Sequence, residues 1–303
     1  MIDFYKRDRY ELSGENISDY AHIVDETIDS LIESLCDNKI NGCLTKKDFD
    51  SLMENNSLSD VLSSFKPKKE LNKQFWKDGK LDSRIRLQLL DIVDDFIDTL
   101  GIDWVKPADI IITGSICNYN WSKYSDVDLH VLYDYKKIYK KTDFLKTFFD
   151  CKKNEWNNNH ENLNIYNFPV ELYVQDINEP HTASGLYSVQ KDKWIKEPEA
   201  DEFESVKLDK EKIKTKSLDL IKKILHIERL TKKTKDAHKR EVLGKKFDEL
   251  WDKIKKYRQD SLKNGGEMAI GNLVYKVLRR LGFLDRIFDL KNYIYDKNNS
   301  LEK

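Results

Sequence analysis

In Ile110-Ile-Ile-Thr-Gly114-Ser115 an apolar run ends in a glycine and a serine, and Asp126-Val-Asp128-Leu-His130 follows about ten residues later. Glycine lets the backbone approach a ligand closely, and a serine hydroxyl with the amides after it suits phosphate oxygens. Side chains alternate along a strand, so Asp126, Asp128 and His130 would share one face while Val127, Leu129 and Val131 pack the other. Two carboxylates at i and i+2 on one face suit shared divalent cations, and Mg²⁺ prefers carboxylate oxygens, water and substrate phosphates. A two-cation phosphoryl-transfer site commonly takes a further carboxylate. Val170-Glu171-Leu-Tyr-Val174 supplies one, because an acid between apolar strand neighbours is a poor choice unless something pairs with it.

The elements that must position these residues are legible as changes of period. Val127 to Tyr133 and Phe168 to Gln175 alternate, and Ile110–Ile112 is a short continuous apolar run, so all three read as strands of one sheet. A helix is expected over roughly 142–157, with Phe144, Leu145, Phe148, Phe149 and Trp156 inward, and a hairpin joins Leu186–Val189 to Lys193–Ile195. Before this α/β unit, 82–100 reads as a helix capped by Asp82 or Ser83, with Ile85, Leu89, Ile92, Val93, Phe96 and Leu100 in one stripe ending at Gly101. Residues 17–36 read as a helix, and 45–65 as a shorter one closed by Lys66-Pro67. From about 208 the pattern is purely helical, over 209–230, 236–262 and 267–281. The expected architecture is α/β (α+β): an N-terminal helical segment (1–100), a small mixed-sheet core (101–206) and a C-terminal helical bundle (207–303).

Gly114-Ser115, Asp126-Val-Asp128 and the hydrophobic-Glu171-hydrophobic triplet together resemble the signature of the DNA polymerase β-like nucleotidyltransferase superfamily, over about residues 100–176. A looser likeness, carried by Trp121 to His130, Val170 to Asp176 and His181 to Tyr187, is to nucleotidyltransferases of tailed phages. The resemblance implies that Asp126, Asp128 and Glu171 bind two Mg²⁺ (or Mn²⁺) ions and are catalytic. It also implies that Gly114 and Ser115 hold a nucleoside triphosphate, such as ATP. Two features depart from the pattern: the third acid is Glu where many members have Asp, and the chain has no arginine between Arg86 and Arg229. Triphosphate charge then falls to the cations, to a lysine such as Lys123, or to Lys276 and Arg280, which sit at i and i+4 on a C-terminal helix. His181 to Ser188 is a candidate lining for the nucleotide pocket, with Tyr187 stacking on a base and Ser188 beside it. His130 reads as a hydrogen-bonded structural histidine.

Charge suggests a partner. The net charge of −1 divides into −7 over residues 1–100, −6 over 101–206 and +12 over 207–303. Arg229 to Arg240 alone packs six Lys/Arg into twelve residues. A basic region behind an acidic one favours an anionic acceptor, foremost an RNA 3′ end. A second nucleotide, giving linear or cyclic oligonucleotides, comes next, and a protein hydroxyl after that. A catalytically silent nucleotide- or nucleic-acid-binding module is the alternative from another class. Cys36, Cys43, Cys117 and Cys151 show no metal-ligand or disulfide spacing. No apolar stretch is long enough to span a membrane and the charged N-terminus lacks a signal-peptide core, so a cytoplasmic protein without membrane contact is expected.

Overall fold

The computed structural model describes residues 57–181, 183–200 and 208–301. The helix expected over 17–36, the first part of that over 45–65, and Cys36 and Cys43 lie outside the described residues. Val61–Asp209 forms one compact unit, and the helices from Lys210 onward belong to another.

The first unit is α+β. A helix (α1, Ser57–Ser64) stops before Lys66-Pro67, and a two-stranded ribbon follows (β1, Trp76–Lys77; β2, Lys80–Leu81). Asp78 and Gly79 join its strands, both at positive φ (49° and 77°), which is the Asp-Gly turn that matches strand twist. Helix α2 (Ser83–Asp98) starts where Asp82 Oδ1 accepts the Arg84 amide at 2.9 Å. Its stripe of Ile85, Leu89, Ile92, Val93 and Phe96 shares one core with the sheet residues Ile110, Ile112, Val127, Leu129 and Leu172.

The main sheet has six strands: β3 (Asp109–Thr113), β4 (Val127–Tyr133), β5 (Asn164–Ile165), β6 (Phe168–Asp176), β7 (Leu186–Ser188) and β8 (Lys193–Lys196), in the order β5-β6-β4-β3-β7-β8. Among the described residues only β4 and β6 pair in parallel. The connection a parallel pair needs is supplied by α3 (Tyr135–Ile138) and α4 (Thr142–Asn159). The hairpin β5–β6 was not legible from alternation, since β5 has two residues. Its Tyr166-Asn167 turn, with φ of 51° and 68°, sets the register Ile165 to Phe168.

Helix α4 departs from expectation at one position. Leu145 and Phe149 are buried and Phe148 and Trp156 half-buried, but Phe144 is 62% exposed. It falls at the edge of the stripe in the first turn and packs edge-on to the Tyr139 ring, at 6.1 Å between centroids.

The second unit holds α5 (Lys210–Lys233), α6 (Ala237–Gly265), α7 (Ile270–Arg280) and α8 (Phe283–Asn299). Its core joins Ile221 and Ile224 to Phe247, Leu250, Trp251, Leu278, Leu284 and Ile287. The last helix extends the expected bundle, after Gly282 at φ 73° turns the chain out of α7. Among the described residues no helix is long and apolar enough to cross a membrane.

Candidate active site

The sheet register assembles the site. Thr113 at the end of β3 pairs with Asp128, and Asp128 pairs with Glu171 on the parallel neighbour β6. Asp126, one residue ahead of β4, completes the group: one carboxylate oxygen from each of Asp126, Asp128 and Glu171 lies within 4.8 Å of the others. All three are half-buried, while the alternate residues Val127, Leu129, Val170 and Leu172 are buried on the opposite face. Three hard, anionic oxygen donors at this separation suit Mg²⁺ or Mn²⁺ by ligand chemistry. Gathering like charges in a partly desolvated place is otherwise unfavourable.

Gly114 is required for a reason beyond ligand access. Its φ is 76°, and a Cβ built there would stand 1.9 Å from Asp128 Oδ2. The carboxylate therefore occupies the space that a side chain at 114 would fill. After it, Ser115–Cys117 makes a 3₁₀ turn. The Ser115 hydroxyl donates to Ser125 Oγ at 2.8 Å, and Ser125 Oγ also accepts the Ser122 amide at 2.9 Å. Ser115 thus ties the turn to the residue immediately before Asp126, a link that spacing alone did not reveal. Asn118 bonds the Ser184 hydroxyl, and Thr113 Oγ1 donates to the Gly185 carbonyl at 3.1 Å, so the 184–185 segment lies against the Gly114-Ser115 turn. A side chain at Gly185 would run into the Cys117 carbonyl at 1.9 Å. Burial, with Asp128 nearby, pushes the Cys117 thiol well above its ordinary range, making it a neutral core residue.

Glu171 is held from two sides. Asn157 of α4 clamps the next residue, its amide donating to the Leu172 carbonyl and accepting the Leu172 amide, both at 3.1 Å. The Tyr173 hydroxyl donates to Glu171 Oε2. Tyr173 is paired across the sheet with His130, their rings stacked at 4.9 Å, and His130 Nδ1 meets Gln175 Oε1 at 2.9 Å. Burial holds the His130 imidazole down at about 4, which fits a neutral structural histidine.

Two of the other expected nucleotide contacts belong to the core. Tyr187 is fully buried on β7, between β3 and β8, its ring enclosed by Trp76 and Trp194 at 5.1 Å each and its hydroxyl bonded to Asp192 at 2.7 Å. No face of that ring is left for a base, so Tyr187 is a core residue. Ser188 is equally buried, donates to Asp109 Oδ1 at 2.7 Å and accepts the Lys191 amide, at the end of β3 opposite Gly114. Lys123 is exposed in the β3–β4 connection with its ammonium over the Tyr124 ring. Lys276 is engaged within the helical unit, its ammonium 2.7 Å from Glu267 Oε2, and Arg280 is half-buried at the end of α7.

No protein-family model and no curated protein matches the chain. Among solved structures it is similar to the STING-associated CdnE c-di-GMP synthase from Capnocytophaga granulosa, at 12% identity over 82% of this chain and 92% of that one. The TM-score is 0.22, and a superposition of that quality does not establish a shared fold.

Proposed function

We propose that the protein is a metal-dependent nucleotidyltransferase that moves a nucleoside monophosphate from a nucleoside triphosphate to an acceptor hydroxyl, releasing pyrophosphate. The observation that carries this is the convergence of Asp126, Asp128 and Glu171, from separate sequence segments, to within 4.8 Å beside the Gly114-Ser115 turn. Divalent cations held there would offset triphosphate charge and make the acceptor hydroxyl a better nucleophile. The protein's part is positioning. Asp126 and Asp128 present two carboxylates, Glu171 adds a third from the parallel neighbour, and the missing side chain at Gly114 lets the Asp128 carboxylate sit against the turn.

An RNA 3′ end is the acceptor we favour. Around the turn between α5 and α6, Lys232, Lys233, Lys235 and Lys239 are all exposed, and a cluster of this kind suits a phosphate backbone. Incubating the full chain with each α-³²P-labelled triphosphate, Mg²⁺ or Mn²⁺, and total RNA tests the reading, with Asp128→Asn in parallel. Label on RNA that disappears with Asp128→Asn supports it. Label in a new small nucleotide or on protein would keep the reaction and replace the acceptor. No transfer with any triphosphate would overturn the reading in favour of a silent binding module.

A further inference from the structure

Tyr173 stands out among groups that the reaction does not by itself require. It is half-buried on the polar face of β6, two residues beyond Glu171, and its hydroxyl reaches back along the strand to Glu171 Oε2. Its ring is fixed by neighbours from two elements. His130 of β4 stacks on it, and Lys153 of α4 places its ammonium 4.4 Å from the ring centre. The pair His130 and Tyr173 lies one step along the sheet from the pair Asp128 and Glu171, and His130 is in turn held by the side chain of Gln175, one step further. A side chain so constrained at both ring and hydroxyl leaves the carboxylate it touches little rotational freedom.

Resting on the metal-centre reading above, we propose that Tyr173 is a positioning residue that sets the coordination mode of Glu171, and with it the preference of the site among divalent cations. A carboxylate with one oxygen occupied by a hydroxyl donor offers the other as a single, directed ligand. Six-coordinate Mg²⁺ and Mn²⁺ accept such monodentate carboxylates, whereas Ca²⁺, with its larger and looser shell, commonly takes both oxygens. Partners that orient a ligand in this way typically contribute tenfold to a hundredfold in metal affinity.

Tyr173→Phe keeps the ring between His130 and Lys153 and removes only the donor. Mn²⁺ binding to the full chain, followed by electron paramagnetic resonance with Ca²⁺ competition, reads both the affinity and the selectivity. The expected result is an Mn²⁺ Kd raised about tenfold or more, with Ca²⁺ affinity held or improved as Glu171 becomes free to use both oxygens. Unchanged Mn²⁺ affinity would overturn the proposal. So would an equal loss for both ions, since general loosening of the site does that without any role in coordination mode. Asp128→Asn separates the two levels of the account. If wild-type Mn²⁺ binding does not depend on Asp128, the metal centre itself fails and Tyr173 loses its role with it. If it does depend on Asp128 and Tyr173→Phe binds Mn²⁺ like wild type, only the positioning role fails.

Discussion

Two clusters around partly buried carboxylates are built in opposite ways. In the helical unit, Glu267 receives Lys276 at 2.7 Å and a side-chain contact from Asn272, whose own carbonyl oxygen is held by Arg258 at 3.2 Å. Burial alone would raise the Glu267 carboxyl, but Lys276, Arg258 and Asn272 outweigh it and hold it below the usual range. In the sheet unit, Asp126, Asp128 and Glu171 are brought toward one another instead. The first arrangement neutralises a charge where it stands and serves the fold. The second gathers negative charge in one place, the arrangement on which the proposed metal centre rests.

The largest effect should come from Asp128→Asn. Transfer activity falls about a thousandfold or more, since several kcal/mol of charge stabilisation go with the ligand. Melted without metal, the same variant should be at least as stable as wild type, because it relieves carboxylate repulsion. Gly114→Ala comes next. The methyl group would meet Asp128 Oδ2, and φ is unfavourable for any side chain, so a loss of about 1–3 kcal/mol in stability accompanies weakened Mn²⁺ binding. Denaturant unfolding together with Mn²⁺ titration measures both.

Lys276→Met probes the opposite arrangement. It should cost about 1–2 kcal/mol, toward the low end because Glu267 is partly exposed, with label transfer unaltered. The sign with pH follows from the depressed Glu267 carboxyl. The stabilisation is fully present above the ordinary carboxylate range and is lost as pH falls through the folded-state value, so the gap between wild type and variant should close in acid. A gap that instead widened in acid would sink this assignment. Away from both clusters, two residues of α4 should differ sharply. Phe149→Ala, from the buried face, should cost about 3–5 kcal/mol. Phe144→Ala, from the exposed edge, should stay within about 0.5 kcal/mol.

Much of this was legible in the residues because the site is built on strands. Alternation at Val127–Tyr133 and Val170–Val174 puts Asp128 and Glu171 on polar faces, and only their register needed three dimensions. The helices read well wherever an apolar stripe met a cap, as in 82–100. What stayed hidden depends on tertiary contact. Nothing local tells that Tyr187 lies under Trp76 and Trp194 rather than beside a ligand, because the ring that covers it comes from more than a hundred residues earlier. The Gly-Ser pair was visible, but that Gly114 makes room for Asp128 was not. Tyr173 could have been found by extending the alternation one step past Glu171 and asking what its hydroxyl would meet.

Calorimetry of wild type and Asp128→Asn, each with and without Mn²⁺, tests the central claim most directly. Mn²⁺ should stabilise wild type by about 2.7 kcal/mol at roughly a hundredfold excess over its Kd and leave Asp128→Asn unmoved. Equal responses of the two proteins, or none from either, would contradict it.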